Sequence, residues 1–369
     1  MKRMIILTCL LTLLTTSGCQ LLEGSNLFKK NQPSREINPN QQSAETNNDS
    51  TNNLRMIMVG DILLASTVEK LMDANGVDYP WLKVQDLLQE ADLAIGNLET
   101  SVAVSGQPLI KQYTFQARPD SLVGAQAAGM DVLTTANNHT LDFGPEALLE
   151  TIENLKHYDL KTAGAGENEH AAFQPAQIQA KGRRIAVLAA SRVIPTPDWR
   201  AEKQRPGLAT TYDPSLLLEA ITAAKQENDL VVVSVHWGKE LALYPEDYQI
   251  DLAHQYIDAG ADVVLGHHPH VLQGLEIYKG KVIAYSLGNF IFSSRSEITR
   301  DSALLMVEQD PDGGLTPTII PAYITAGQPN PQDPTTDPNG ILAKLRALSE
   351  PFNTIIDTQG ILQERIIHS

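Results

Sequence analysis

Three histidines, His267, His268 and His270, fall within four residues of the stretch ADVVLGHHPHVLQG. They directly follow the apolar run Val263 to Leu265, and Pro269 holds two of them in a fixed turn. Imidazole is the commonest metal ligand and the usual acid–base group near neutral pH. Other apolar runs end in residues of the same kind. RMIMVGD ends at Asp61, ADLAIGNLE at Asn97 and Glu99, MDVLTTANNH at Asn138 and His139, and DLVVVSVHWG carries His236 near its end. Singly, each has a bland reading. Asp61 caps a helix, Glu99 lies on the surface, Asn138 and His139 belong to a turn, and His236 is a core histidine with one hydrogen bond. At five run ends together, they describe a single site of two carboxylates, an amide and three or four imidazoles. Mixed oxygen and nitrogen ligation of this kind suits Mn²⁺, Fe or Zn²⁺ better than Ca²⁺ or Mg²⁺, which prefer oxygen alone.

Elements of one kind must bring these ends together. The apolar runs are short and continuous, as in strands buried on both faces. Between them lie helix-like stretches: Pro119 to Ala128, Pro145 to His157, Pro214 to Asn228 and Pro245 to Ala259. Each opens on proline, which costs nothing in a first helical turn. Strands alternating with helices of this length predict βαβ units, a largely parallel sheet and an α/β fold. In such sheets ligands bind outside the carboxyl ends of the strands, where all five run ends would lie. Two further strands are expected at Arg184 to Ala190 and Lys281 to Ser286. Late antiparallel strands are expected at Ala303 to Glu308 and Thr316 to Ile324. The Pro- and Asp-rich stretch PNPQDPTTDPNG then reads as a linker, followed by a short helix, Ile341 to Leu348, and a tail.

The ends of the chain read differently. The 369 residues carry a formal net charge of -16, which argues against an electrostatic grip on nucleic acid. At 42% hydrophobic, most of the chain should fold. MKRMIILTCLLTLLTTSGC begins with Lys2 and Arg3, runs uncharged from Met4 to Leu14 and ends in small residues before Cys19. That is a secretory signal, too short for a stable span. Thr16, Ser17 and Gly18 before Cys19 resemble a bacterial lipobox, although Thr16 stands where Leu is usual. Of the two cysteines, Cys9 would leave with the signal, so Cys19 has no partner in the chain. Acylation there would anchor the protein to a membrane. The Asn-, Gln- and Ser-rich segment that follows cannot bury enough surface to order itself. The expected organisation is a signal over 1–18, a tether over 19–53, a folded domain over 54–327, and a linker with C-terminal extension over 328–369.

MVGDILLA, IGNLETSV, TTANNHTLDFG, SVHWGKE, GADVVLGHHPHVLQGLE and VIAYSLGNFIF together resemble the capsule-synthesis CapA family, also called the poly-γ-glutamate biosynthesis family. Its domain is similar to calcineurin-type metallophosphoesterases. The resemblance spans roughly Leu54 to Asp310. It implies central sheets packed as a sandwich between helices, in α-β-β-α layers, and a two-metal site. By its pattern Asp61 is the first acidic ligand, Glu99 stands where a bridging aspartate is usual, and Asn138 is the amide ligand. His139 is the catalytic histidine. His236 and His268 complete one metal and His270 the other, leaving His267 as a support. The pattern has a histidine two residues after the first aspartate, and Leu63 stands there instead. The first metal then keeps Asp61, Glu99 and His270, so either one or two divalent metals (Mn, Fe or Zn) are expected. Asp142 either orients His139 or shapes a helix start. Asn289, in SLGNF, is either a turn residue or a support like Asn97. Lys239 and Glu240 read as solvated, and His157, His170, His254 and His368 have no partner in the pattern.

Two functions follow from the resemblance. One is a metal-dependent phosphoesterase or related hydrolase. The other is a non-catalytic, polymer-binding or assembly component of a capsule or poly-γ-glutamate export machine. Leu63 favours the second and His139 the first. Either way the expected location is the outer face of the cytoplasmic membrane, the periplasm or the cell surface, through a lipid at Cys19. The expected partners are synthase subunits and the anionic polymer.

Overall fold

A computed structural model of the chain describes residues 52–294 and 296–365. The signal, Cys19 and the tether as far as residue 51 lie outside the described residues.

Among the described residues, two large sheets carry the fold. In the first, Leu54–Ile62, Leu93–Leu98 and Val132–Thr134 run parallel. Asp301–Gln309 pairs antiparallel on the other side of the 54–62 strand, followed outward by Leu315–Thr325 and Gln328–Pro331. Asn289–Ile291 joins the end of the 54–62 strand. In the second sheet, Arg183–Ser191, Leu230–His236, Val263–His267 and Lys281–Ala284 run parallel, with antiparallel Ala176–Ala180 and Leu275–Tyr278 at the edges.

Side-chain alternation turns these sheets into layers. Met56 and Met58 face inward and meet Val187, Val232 and Leu265 of the other sheet. Ile57 and Val59 face outward, against Val68, Leu88 and Leu122 of the helical elements Ser66–Asn75, Gln85–Gln89 and Ser121–Ala127. The second sheet likewise sends Val231, Val233 and Val264 outward onto Leu217, Ile221 and Ala253 of helices Ser215–Glu227 and Asp247–Ala259. The result is the α-β-β-α sandwich expected from the family resemblance. Both faces of the central strands are covered, so their sequences read as unbroken apolar runs. No helix among the described residues is long and apolar enough to cross a membrane.

The expected strands and helices form within a few residues of their anticipated ends. Residues 328–365 pack onto the same sandwich. Gln328–Pro331 pairs as an edge strand, where Pro329 and Pro331 are tolerated. Ile341–Ser349 follows as a helix that buries Ile341, Leu342, Leu345 and Leu348 in the interior between the sheets. That spacing marks an apolar helix face, which the flanking prolines and aspartates obscure in the sequence.

Candidate metal centre

The site forms at the carboxyl ends of strands from both sheets, not along one sheet edge. The first sheet delivers Asp61, Asn97, Glu99 and Asn138; the second delivers His236, His267, His268 and His270. A hydrogen bond between Thr134 Oγ1 and Ser234 Oγ (3.0 Å) joins the two sheets beneath it.

Local backbone geometry aims these groups. The pairing of the 54–62 strand slips between Met58 and Asp61, a bulge that redirects the carboxylate. Gly60 permits it, because a Cβ there would lie 2.0 Å from the Gly288 carbonyl oxygen. His268 and His270 both adopt left-handed φ, at 98° and 58°, on either side of Pro269. Non-glycine residues held there cost about 1–3 kcal/mol each and cluster at functional sites.

Two groups of ligand atoms share Glu99. Glu99 lies with His236 and His268 in one, and with Asp61 and His270 in the other, all ligand atoms of a group within 4.8 Å of one another. Glu99 Oε1 is 3.6 Å from both His236 Nε2 and His270 Nε2. The Asn138 amide oxygen is 2.8 Å from His236 Nε2, beside the first group. The rings of His236 and His268 are 4.8 Å apart, so the convergence read from the strand ends is present. Leu63 packs among the helices behind the first sheet and offers nothing to the centre.

The supporting residues fall into place around these. Asn97 Nδ2 donates to Asp61 Oδ1 at 2.9 Å, and His267 Nδ1 lies 3.2 Å from the same oxygen. The Asn289 side chain supports the site: its Oδ1 accepts from His270 Nδ1 at 2.9 Å, which leaves His270 Nε2 free toward Glu99. Asp142 turns its carboxylate to His139. Its Oδ2 is 2.7 Å from His139 Nδ1 and accepts from the Phe115 amide, while Lys111 Nζ donates to Oδ1 at 2.6 Å. Its carboxylate does not cap the helix Gly144–His157.

Three residues come unannounced by the sequence reading. Lys111 arrives from an aperiodic loop to bind Asp142 and the Asn138 carbonyl. Asn137 donates to Asn97 Oδ1 and the Leu98 carbonyl and accepts from the His139 amide; the doubled asparagine was its one signal. Glu240, expected in solvent, is exposed, yet its carboxylate groups with His268 and His270. Outside the centre, His254 meets Glu276 at 3.0 Å and stacks on Tyr278.

Protonation follows from burial and neighbours. Burial alone would raise Asp61, but His267 and His270 outweigh it and hold the carboxyl well below its usual range. Burial raises Glu99 well above its usual value, with Asp61 and Glu240 adding to the effect. Burial opposes a charge on His270, yet Glu99 and Asp61 push its pKa up to about 10. His270 therefore keeps its proton at pH 7. Burial, with His270 nearby, brings His268 down to about 4, and burial with His268 drops His236 well below its usual value. Both keep neutral rings at pH 7. Burial also lowers His139, against the pull of Asp142.

The donor chemistry fits a divalent cation. Glu99 is sealed from solvent and neither oxygen has a hydrogen-bond partner among the described residues; His268 Nδ1 is likewise orphaned. An uncompensated buried carboxylate is costly, and a cation between the two groups would satisfy it.

The family described as bacterial capsule synthesis protein PGA_cap matches residues 55–294. The capsule biosynthesis protein CapA of Bacillus anthracis is 35% identical over 300 residues, covering 79% of this chain and 72% of its own. The PGA biosynthesis protein CapA of Bacillus subtilis (strain 168) is 34% identical over 276 residues, covering 74% and 72%. Among solved structures, a 5'-nucleotidase from Candida albicans SC5314 aligns over 72% of this chain and 51% of its own, at 11% identity and a TM-score of 0.42.

Proposed function

The chain belongs to the PGA_cap family of bacterial capsule synthesis proteins, and from that premise we propose that it serves capsule or poly-γ-glutamate synthesis or export through a metal-dependent phosphoesterase site. The observation that carries this reading is the buried, unpartnered Glu99 carboxylate between two sets of ligands. Asp61, Glu99 and His270 would hold one cation, and Glu99, Asn138, His236 and His268 a second. The mixed donors favour Mn, Fe or Zn. When bound, such cations supply a Lewis acid for a phosphoryl oxygen and an activated water. Asn97 and His267 fix Asp61, and Asn289 fixes the ring of His270. Asp142 and Lys111 hold His139 so that Nε2 can pass a proton to a leaving oxygen. A cation entering beside His270 must displace the proton held there, so affinity falls as pH falls.

Chelation and reconstitution test the proposal. Purified protein should contain Mn, Fe or Zn and hydrolyse a member of a phosphomono- and phosphodiester panel. Activity should vanish after chelation and return with added metal. A second reading rests on Leu63, which removes one imidazole from the pattern. In it the protein is a non-catalytic component whose metal engages the polymer's carboxylates beside the synthase subunits. Protein that holds metal, hydrolyses nothing on the panel and binds poly-γ-glutamate would replace the first reading with this one.

The location proposed is the outside of the cytoplasmic membrane, through a lipid on Cys19. The charged start, the uncharged run and the lone cysteine at the end of the leader support it. Cys19→Ser should move the protein from the membrane to the soluble extracellular or periplasmic fraction. A variant that sediments with membranes as the parent does would defeat the lipid anchor.

A further inference from the structure

The two halves of the centre are unequal. Glu99, Asn138, His236 and His268 make one complete set, whereas Asp61, Glu99 and His270 make a set of three, with Leu63 turned away into the helical layer. A carboxylate stands where that deficit could be met. Glu240 offers an oxygen within 4.8 Å of ligand nitrogens on both His268 and His270. It belongs to neither set described above, and it comes from the segment after His236 and not from the strand that carries Asp61.

Its position is built. The segment turns at Gly238, with φ 84°, and at Leu241, with φ 63°. The Gly238 amide donates to Tyr248 Oη at 2.7 Å. The Leu241 amide donates to the Pro269 carbonyl at 2.8 Å, which ties the segment to the His268–Pro269–His270 turn itself. Gln273 Nε2 donates to the Ala242 carbonyl at 2.8 Å. Glu240 is thus fastened on one flank to the helix Asp247–Ala259 and on the other to the turn whose histidines it faces. On the inner side of the same histidines, Glu99 keeps two buried oxygens without hydrogen-bond partners, independent testimony that a cation belongs between them.

We propose that Glu240 is a metal ligand, closing the centre from its solvent side and replacing for the Asp61 half the imidazole that Leu63 cannot supply. The inference rests on the metal-centre reading above. That half would then hold oxygen from Asp61, Glu99 and Glu240 and one nitrogen from His270. An oxygen-rich set of this kind favours Mn²⁺ over Zn²⁺ relative to its histidine-rich neighbour.

Mn²⁺ titration of the chelated protein tests this without any need for turnover. Isothermal calorimetry counts the ions, and electron paramagnetic resonance reports whether two Mn²⁺ ions are spin-coupled. The parent should take two ions and give a coupled signal. Loss of even an outer partner of a metal ligand costs about 10–100-fold in affinity, so Glu240→Gln should weaken one ion at least tenfold. The other ion should keep the parental affinity, and the coupled signal should disappear. Lys239→Gln, the neighbouring change, should behave as the parent. Metal-free thermal unfolding should match in all three, because Glu240 is exposed and its side chain makes no hydrogen bond among the described residues. Two ions of parental affinity in Glu240→Gln would overturn the assignment, as would a parent with a single ion whose affinity the change leaves alone. A folded parent that takes no ion would bring down the metal centre as a whole, and Glu240 with it.

Discussion

Glu99→Gln will abolish the stabilisation of this protein by metal while leaving the metal-free protein close to the parent in stability. The carboxylate is 1% exposed and has no hydrogen-bond partner among the described residues. Without a cation it is a buried group left unsatisfied, which costs about 1–3 kcal/mol or more when charged. Glutamine keeps its shape and removes the charge, so the metal-free state loses only the pull of Glu99 on a protonated His270, part of which Asp61 still supplies. With metal the two proteins part. An ion at a hundred times its dissociation constant stabilises the folded state by about 2.7 kcal/mol. In a folded domain of this size that raises the unfolding midpoint by roughly 3–5 °C. The parent should show this rise on titration with Mn²⁺ or Zn²⁺ and Glu99→Gln should not. Equal rises in parent and variant would mean that Glu99 touches no metal.

His139→Ala and His236→Ala should separate proton transfer from metal binding. His236 lies within ligand distance of Glu99 and His268, with the Asn138 amide oxygen beside it. His139 sits one residue beyond Asn138, its Nδ1 turned to Asp142, and belongs to none of the ligand groups. Removing a ligand loses coordination free energy directly. Removing a positioned proton donor slows turnover by roughly 10²–10⁴-fold and leaves coordination intact. Hence His139→Ala should retain metal by elemental analysis and lose phosphoesterase turnover, while His236→Ala should lose both. Lower metal content in His139→Ala than in His236→Ala would invert the two roles.

Most of this centre could be read from the chain because of how its strands are buried. Parallel strands covered on both faces are written as unbroken apolar runs, so their ends are conspicuous. Asp61, Glu99, Asn138, His236, His268 and His270 stand out there against an apolar background. Which runs pair with which is not written in that way. Met58 beside Leu305 and Val233 beside Val264 are apolar neighbours of the same kind, and nothing in their periodicity assigns them to different sheets. The helix over Ile341–Ser349 was recognised, but its place in the interior depends on a surface that exists only after the sheets have formed. The approach of Lys111, Asn137 and Glu240 to the centre was not legible. Each is placed by a turn or loop whose path is set by tertiary contacts such as the bond from the Leu241 amide to Pro269.

The pairing of Met58 with Leu305 also sets a schedule. The strand that carries Asp61 is among the first parts of the domain to be synthesised, and its antiparallel neighbour is among the last. Contacts so distant along the chain form slowly, and during synthesis they must wait for the neighbour to emerge. The helix that closes the interior between the sheets comes later still. Asp61 therefore lacks its final setting until roughly the last fifth of the chain is being made. An ion held between the two sheets would accordingly enter only after the C-terminal strands have docked.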